Sequence, residues 1–240
     1  WSSAEDALLR LRAVKSDAEL KAVRKAAKLA DAMMHLAVET ARAGMREAEL
    51  SKPIRRAAED LGGTGESFEN IVASGPSSSS PHHHPGARKM KTGDPVTVDL
   101  GGVVDGYCSD LTRTFALGKA SKKFQEIYHV CLEANEAAIA GIRPGMTGSE
   151  ADALARDVIA KAGYGEYFGH SLGHGVGLEI HEQPRLATTS KDVLEPGMVI
   201  TIEPGIYLPG VGGVRIEDLA VVTEKGVQVL SKTPKNLLVV

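Results

Sequence analysis

Two short apolar runs in this sequence end in an acidic residue, in closely similar surroundings. The runs end at Asp99 and Glu203, and a second acid follows each of them, Asp110 after the first and Glu217 after the second. If these four carboxylates meet, a cation must relieve their mutual repulsion, because like charges in one site disfavour ionisation. The pattern therefore indicates a metal-binding site built from two similar parts of the chain.

A longer repeat surrounds these acids. The sequence Arg-Ala-Gly-Met that begins at Arg42 returns as Arg-Pro-Gly-Met at Arg143, and each copy is followed four residues later by a glutamate. A spacing of about 100 residues is too long for a solenoid, whose repeats span roughly 20 to 50 residues. We therefore predict two pseudo-symmetric halves, at about residues 16–118 and 119–240.

Helical and extended patterns occur in blocks along the chain. Apolar residues at helical spacing behind capping-box sequences predict helices, and runs of β-branched residues bounded by turn residues predict strands. The predicted helices cover about residues 17–41, 47–61, 121–142 and 147–162, and Pro53 is expected to kink or shorten the second. The predicted strands cover about residues 96–100, 107–117, 169–182, 198–207, 214–223 and 227–230. Such segregated blocks are typical of the α+β class.

The duplicated acids must meet, so one domain built of two halves is favoured over two separate domains. We expect a single catalytic domain over residues 1–240, in which residues 1–15 lead into the first half. The sequence begins with Trp1 and not with an initiator methionine. We therefore expect that upstream residues were lost by processing or truncation.

Composition argues against several classes of protein. A net charge of −3 over 240 residues gives no nucleic-acid signal. No apolar stretch approaches the roughly 18 residues of a membrane span. Cys108 and Cys131 are too few for a disulfide framework. We expect a cytoplasmic protein with reduced thiols that binds neither nucleic acid nor membrane.

The spacing of the first two acids places them on facing strands. Asp99 and Asp110 are 11 residues apart, an odd interval that would put them on opposite faces of one straight strand. The Asp105-Gly106 pair between them is a hairpin signal, so the two acids instead lie on neighbouring strands and can face each other.

A fifth ligand is expected from the histidines of the glycine-rich stretch 168–182. Its glycines argue against a helix and exclude a helical HExxH site. Four carboxylates with one imidazole suit divalent ions such as Mn(II), Co(II) or Fe(II) and argue against a structural cysteine-rich zinc site. Because so many carboxylates exceed the charge of one ion, we predict two ions about 3.5–4 Å apart, which would also generate a hydrolytic nucleophile from water.

Four longer motifs resemble a known family. They are Asp105-Gly-Tyr-Cys-Ser-Asp-Leu-Thr-Arg-Thr-Phe115, Gly169-His-Ser-Leu-Gly-His-Gly-Val-Gly-Leu-Glu-Ile-His-Glu182, Ile202-Glu-Pro-Gly-Ile-Tyr207 and Gly213-Val-Arg-Ile-Glu-Asp218. Together they resemble the pita-bread metallopeptidases, in particular the branch of Xaa-Pro aminopeptidases and Xaa-Pro dipeptidases (prolidases). The resemblance covers essentially the whole chain and implies the pita-bread fold. We expect the N-terminal domain that is usual in that branch to be absent.

The resemblance also implies a set of five metal ligands. Asp110 and Glu217 would bridge two divalent ions, with Mn(II) favoured and Co, Fe or Zn as alternatives. Glu203 would in addition take up a proton from the attacking water. The five ligands are Asp99, Asp110, His174, Glu203 and Glu217.

Further polar residues receive roles from the same resemblance. His82 would contact the tetrahedral intermediate or the leaving amide, and His181 would stabilise the oxyanion. Substrate-pocket positions match His170, Arg215 and, more weakly, Tyr207. Other interpretations stay open, because His82 and its neighbours could form a solvated loop, His170 could brace the glycine loop, and Arg215 could pair with a site carboxylate.

The implied activity is that of an exopeptidase which cleaves a small peptide after its first residue, with Xaa-Pro peptides preferred. One alternative is a methionine aminopeptidase-like or broad-specificity aminopeptidase, although Arg215 and the pair His170 and His174 favour the Xaa-Pro branch. Others are a metal-free enzyme similar to creatine amidinohydrolase and a non-catalytic pita-bread binding module. Both are disfavoured because all five ligands are present. A homodimer is implied only by the family likeness.

Overall fold

The structure is a computed structural model that describes residues 4–240, and within them the chain forms five α-helices and twelve short strands. The helices are α1 (Ala4–Ala13), α2 (Asp17–Thr40), α3 (Glu47–Asp60), α4 (Lys122–Gly141) and α5 (Gly148–Lys161). The strands are β1 (Ile71–Ser74), β2 (Pro95–Leu100), β3 (Val103–Val104), β4 (Tyr107–Cys108), β5 (Leu111–Ala116), β6 (Gly173–Gly175), β7 (Glu182–Leu186), β8 (Val199–Ile202), β9 (Gly205–Leu208), β10 (Gly212–Arg215), β11 (Asp218–Thr223) and β12 (Gly226–Val229). The predicted α+β class is confirmed.

Capping boxes start the helices close to where the sequence predicted them. The side chain of Ser16 accepts a hydrogen bond from the amide of Glu19, whose carboxylate accepts one from the amide of Ser16. The same arrangement opens α5. α3 continues unbroken through Pro53. The carbonyl that loses its donor belongs to Glu49, which is exposed, so water can replace the missing N–H and the helix is not shortened.

Each half of the chain packs a pair of helices against an antiparallel sheet. In the first half α2 and α3 lie against a sheet of order β1-β2-β5. In the second half α4 and α5 lie against a sheet of order β12-β11-β8-β6-β7. Two ribbons, β3–β4 and β9–β10, complete the fold. Each helix pair covers its own buried apolar cluster. The boundaries 16–118 and 119–240, and the extent of the catalytic domain, stay predictions.

The long strands predicted from the sequence are interrupted, and the interruptions lie at acidic residues. β4 and β5 are divided at Asp110, β8 and β9 at Glu203, and β10 and β11 at Glu217. Pro204 offers no donor for a sheet ladder, but the other apolar runs carry no sign of a break. Of the strand predicted at 169–182, the structure forms β6 and the first residue of β7, and residues 176–181 between them lie outside both strands.

The sequence predicts neither a membrane-spanning helix nor a disulfide framework. No helix in the described part of the chain has both the length and the apolar character needed to cross a bilayer. Both cysteines are buried and free in the structure.

The close approach of β6 to β8 gives a test of the fold next to His174. A Cβ atom added at Gly173 would lie 2.1 Å from the carbonyl oxygen of Thr201. We expect Gly173→Ala to force the strands apart and lower the free energy of unfolding by about 1–3 kcal/mol, measured as a lower urea midpoint. Gly169→Ala is the matched control, since a Cβ there meets nothing within 4 Å. Equal midpoints for the two variants would contradict this packing.

Candidate metal centre

Three carboxylates meet where the two halves of the chain face each other. Asp99 lies near the end of β2, Asp110 directly precedes β5, and Glu217 lies between β10 and β11. One oxygen atom of each lies within 4.8 Å of the others. Asp110 and Glu217 are buried and Asp99 is half-buried. Acids that are far apart in the sequence therefore converge, while their role as metal ligands stays a prediction.

A second group of side chains shares Asp110 with the first. His174, in β6, places its Nε2 atom 3.5 Å from Asp110 Oδ2 and 3.3 Å from Glu203 Oε1. Glu203 directly follows β8. The five candidate ligands thus form two overlapping groups joined at Asp110. This arrangement suits two neighbouring cations.

Threonine hydroxyls orient the two glutamates. Thr112 donates a hydrogen bond to Glu217 Oε2 over 2.6 Å, and Thr201 donates to Glu203 Oε1 over 3.0 Å. The amide of His174 donates in turn to the Thr201 hydroxyl. Neither threonine was predicted from the sequence as part of the site. The signal for Thr201 was its position two residues before Glu203, since alternate residues of a strand share a face.

Burial and mutual repulsion change the proton affinity of the acids. Burial raises the pKa of Asp99, and it raises the pKa of Asp110 and Glu217 strongly, with the charges of neighbouring acids adding to the effect. Burial alone would also raise the pKa of Glu203, but its hydrogen bond to His174 and the charge of that residue lower it to about 2. Full ionisation of the whole set therefore needs additional positive charge.

The backbone fixes the tautomer of His174. Its Nδ1 atom lies 3.1 Å from the carbonyl oxygen of Gly175, so the Nδ1 proton is donated there and Nε2 faces the carboxylates. Burial alone would lower the pKa of His174, but the hydrogen bond with Glu203 and the charge of Glu203 raise it. A cation can take the place of the proton that this pairing favours.

The donor set fits a divalent cation. Oδ1 of Asp99 is buried and has no hydrogen-bond partner among the described residues. A buried acceptor without a partner costs about 1–3 kcal/mol, and a bound cation would satisfy it. Carboxylate oxygens with one imidazole nitrogen are ligands that Mn(II), Co(II), Fe(II) and Zn(II) accept.

Arg215 connects the acids to the predicted substrate pocket and is only 3% exposed. Its Nη2 donates to Asp99 Oδ2 over 2.7 Å, its Nη1 to the Tyr207 hydroxyl over 2.9 Å, and its Nε to the Thr112 hydroxyl over 3.1 Å. The Tyr207 hydroxyl lies 2.8 Å from Nε2 of His170. The structure therefore shows Arg215 paired with a site carboxylate, while Arg215 also lines the cavity and its substrate contact stays a prediction.

His170 both braces its loop and faces the cavity. Its Nδ1 atom lies 2.8 Å from the carbonyl oxygen of Ser171, so Nε2 is left to accept the hydrogen bond from Tyr207. Burial lowers the pKa of His170, which is consistent with a neutral ring. Its ring packs at right angles to that of Phe168. The two sequence interpretations of His170 are therefore compatible.

A cavity of about 550 Å³ opens onto the carboxylates. His82 and His181 line it, and the ring centroid of His181 lies 4.4 Å from that of His174. Gln183 and Arg185 also line the cavity, and neither was predicted from the sequence as part of the site. Their alternation after His181 along β7 was the available signal.

His82, His83 and His84 lie in the segment between β1 and β2 and have different surroundings. His82 is exposed to the cavity. His83 Nε2 lies 2.8 Å from the carboxylate of the fully buried Glu47, which also accepts hydrogen bonds from the amide and hydroxyl of Ser74. The side chain of His84 is 84% exposed. Among the three, only His82 is positioned for contact with a substrate.

Comparison with known proteins identifies the family. Residues 21–224 match the metallopeptidase family M24. An Xaa-Pro dipeptidase of Pyrococcus horikoshii is 42% identical over 238 residues, which are 99% of this chain and 68% of that protein. The structure of the Xaa-Pro dipeptidase from Bacillus anthracis matches with a TM-score of 0.96 and 50% identity, covering 97% of this chain and 66% of that one. The X-Pro aminopeptidase from Thermotoga maritima matches with a TM-score of 0.96 and 37% identity, covering 98% and 67%.

The chain spans about two thirds of the length of the proteins it matches. The pita-bread fold implied by the sequence motifs is confirmed by these structural neighbours. The family uses divalent metals, in agreement with the carboxylate cluster. The chain belongs to the metallopeptidase family M24.

Proposed function

We propose that this chain acts as a dinuclear-metal exopeptidase that hydrolyses the peptide bond after the N-terminal residue of small peptides, with Xaa-Pro peptides preferred. The observation that carries the proposal is the pair of overlapping ligand groups that share Asp110 at a cavity lined by His82 and His181. The likeness to Xaa-Pro dipeptidases supports the substrate class. The proposal concerns the activity of a whole protein, and the related proteins are longer than this chain.

The candidate ligands divide between two ions. Asp99, Asp110 and Glu217 would hold one ion, and Asp110, His174 and Glu203, with Glu217, would hold the other. When bound, such ions polarise the scissile carbonyl and lower the pKa of water. Mn(II) is favoured by the predominance of carboxylate ligands, with Co, Fe or Zn as alternatives.

The side chains around the centre handle protons and charge. Glu203 has a pKa lowered to about 2 by its hydrogen bond to His174 and the charge of that residue, and as an ionised carboxylate beside the proposed ions it would accept a proton from the attacking water. His82 and His181 face the same cavity from different elements. His181 would stabilise the developing oxyanion and His82 would assist the departing nitrogen.

A second candidate activity is an aminopeptidase that accepts longer peptides, and the likeness to an X-Pro aminopeptidase favours keeping it. A methionine aminopeptidase-like or broad specificity is a weaker alternative, and a binding module without catalysis is disfavoured because five candidate ligands converge. We further propose that the protein is cytoplasmic, supported by its two buried free thiols, and that it forms a homodimer, supported by family likeness alone.

Loss of the proton-accepting carboxylate tests the proposed chemistry. We expect Glu203→Gln to lower kcat on Xaa-Pro peptides by roughly 10²- to 10⁴-fold, because the amide cannot take up the proton. The urea midpoint should stay near that of the wild type. Glu166→Gln, at an exposed position, is the control and should keep full activity. A purified Glu203→Gln protein with wild-type turnover would refute the role.

Substrate length and sequence separate the candidate activities. We expect cleavage of Ala-Pro dipeptides or of Ala-Pro-Ala in the presence of Mn(II), and slow cleavage of Met-Ala-Ser. Initial rates on this panel, with Co(II) and Zn(II) in parallel, measure the preference. Faster hydrolysis of Met-Ala-Ser would support the methionine aminopeptidase-like alternative and contradict the Xaa-Pro preference.

The two exposed histidines of one loop provide a matched pair. We expect His82→Asn to reduce kcat by roughly 10²-fold or more, because it removes a proton donor at the cavity. His84→Asn should leave kcat unchanged, since its side chain points into solvent. Steady-state kinetics on one Xaa-Pro substrate measures both. Equal kcat values for the two variants would remove His82 from the mechanism.

Metal binding should stabilise the fold. A ligand that binds only the native state at a concentration of about 100 times its Kd adds about 2.7 kcal/mol to the free energy of unfolding. We therefore expect Mn(II) to raise the Tm of chelator-treated protein. Asp110→Asn should lose most of that increase, because Asp110 belongs to both ligand groups. An unchanged Mn(II)-induced shift in this variant would argue against a shared carboxylate.

A further inference from the structure

Asn135 is a fully buried amide behind two of the candidate metal ligands. It lies in α4, and its relative exposure is 0%. Its Nδ2 atom donates to the carbonyl oxygen of Ile202 over 3.0 Å and to that of Ile216 over 3.3 Å. These carbonyls immediately precede Glu203 and Glu217 in the sequence. One side chain therefore bridges the two backbone segments that carry these glutamates.

The bridge lies where regular strand pairing stops. Ile202 is the last residue of β8 paired with β11, and pairing resumes only in the β9–β10 ribbon. Between the two, the residues of the Glu203 and Glu217 segments belong to no strand ladder. Such an interruption frees side chains to point into the site and leaves a long backbone hydrogen bond between the two segments, donated by the amide of Ile216 to the carbonyl oxygen of Pro204 over 3.4 Å. The Asn135 amide supplies donors at this gap.

The orientation of this amide is fixed from its other end. Lys235 Nζ donates to Asn135 Oδ1 over 2.9 Å and to Asp218 Oδ2 over 2.9 Å. Asp218 is held on its second oxygen by Arg113 Nη2 over 2.8 Å. Because the ammonium group of Lys235 donates to the amide oxygen, the amide nitrogen must face the two carbonyl oxygens. The network reaches back to the centre, since Arg113 also donates to the carbonyl oxygen of Glu217.

The internal repeat shows that helix packing does not itself require a polar residue here. Arg42 and Arg143 begin the repeated turn, and the residue eight positions before each is Met34 and Asn135 respectively. Met34 is also fully buried, in the apolar cluster of the first half. Burying an amide costs free energy unless its hydrogen bonds are made. The polar side chain in the second half therefore has a use beyond packing.

We propose that Asn135 is a positioning residue that sets the spacing of Glu203 and Glu217 for metal binding. Two like-charged side chains on backbone segments outside the strand ladders tend to separate, and a common donor to both segments opposes that separation together with the Ile216–Pro204 backbone hydrogen bond. This inference rests on the proposed metal centre. It adds that the Asn135 amide on α4 changes the metal affinity of that centre without contacting an ion or a substrate.

The test measures metal binding directly. We expect Asn135→Met, which installs the residue of the first half, to weaken Mn(II) binding by about 10- to 100-fold in isothermal titration, as for other residues that support ligands. The Co(II) absorption spectrum should also change, because ligand spacing changes. Glu136→Gln, the exposed next residue on α4, should match the wild type in both measurements. Unfolding midpoints of the chelator-treated proteins report any purely structural effect.

The outcomes separate this inference from the proposed function. A wild-type protein that binds no Mn(II) would overturn both proposals. A wild type that binds Mn(II) and an Asn135→Met variant with equal affinity and an equal Co(II) spectrum would overturn the positioning role alone. If Asn135→Met does not fold, Lys235→Met provides the second variant, because it leaves Asn135 in place and removes the hydrogen bond that orients the amide, along with the ion pair to Asp218. Wild-type Mn(II) affinity in a folded Lys235→Met protein would then overturn the inference.

Discussion

Carboxylates repel one another when they are buried together, and this fold depends on holding several of them in one cluster. Removal of each charge from water carries a penalty of several kcal/mol unless partners compensate. Asp99, Asp110 and Glu217 nevertheless lie within reach of a single ion. Arg215 and Thr112 relieve part of the repulsion. The remainder calls for bound metal, which is what membership of a metallopeptidase family leads one to expect.

The strands of the sheets end next to the acidic residues that must be held together. Asp110, Glu203 and Glu217 each occupy a gap between two strands, so their backbones are anchored on both sides while their side chains turn toward the site. The anchors come from the helix layer as well as from the sheets. Asn135 reaches two of the gaps from α4, and Glu47 at the start of α3 holds the backbone before the loop that carries His82. Helices and strands thus share the task of setting ligand positions.

The sequence predicted the elements and the convergence of the acids because both leave local patterns. Helix ends followed from capping boxes, and the paired acids followed from a repeat that two similar halves impose. The gaps in the strands were not predictable, since an apolar run reads the same whether or not its ladder is interrupted. The hydrogen-bond partners of Arg215 could not be predicted from the sequence either, because Thr112, Tyr207 and Asp99 come from three different segments. Asn135 was not predicted, because it is one of many polar residues on α4 and only its place in the repeat, opposite Met34, distinguishes it.

Asp110 belongs to both ligand groups, and this sharing has a thermodynamic consequence. An ion held with Asp99 and Glu217 draws on the same carboxylate that an ion beside His174 requires. If two ions bind as proposed, occupancy at one position would change the affinity at the other, and by reciprocity the coupling would be equal in both directions. Loading of the proposed two-ion centre would be a stepwise process with a half-filled state, whose population would depend on the concentration of free metal around the protein.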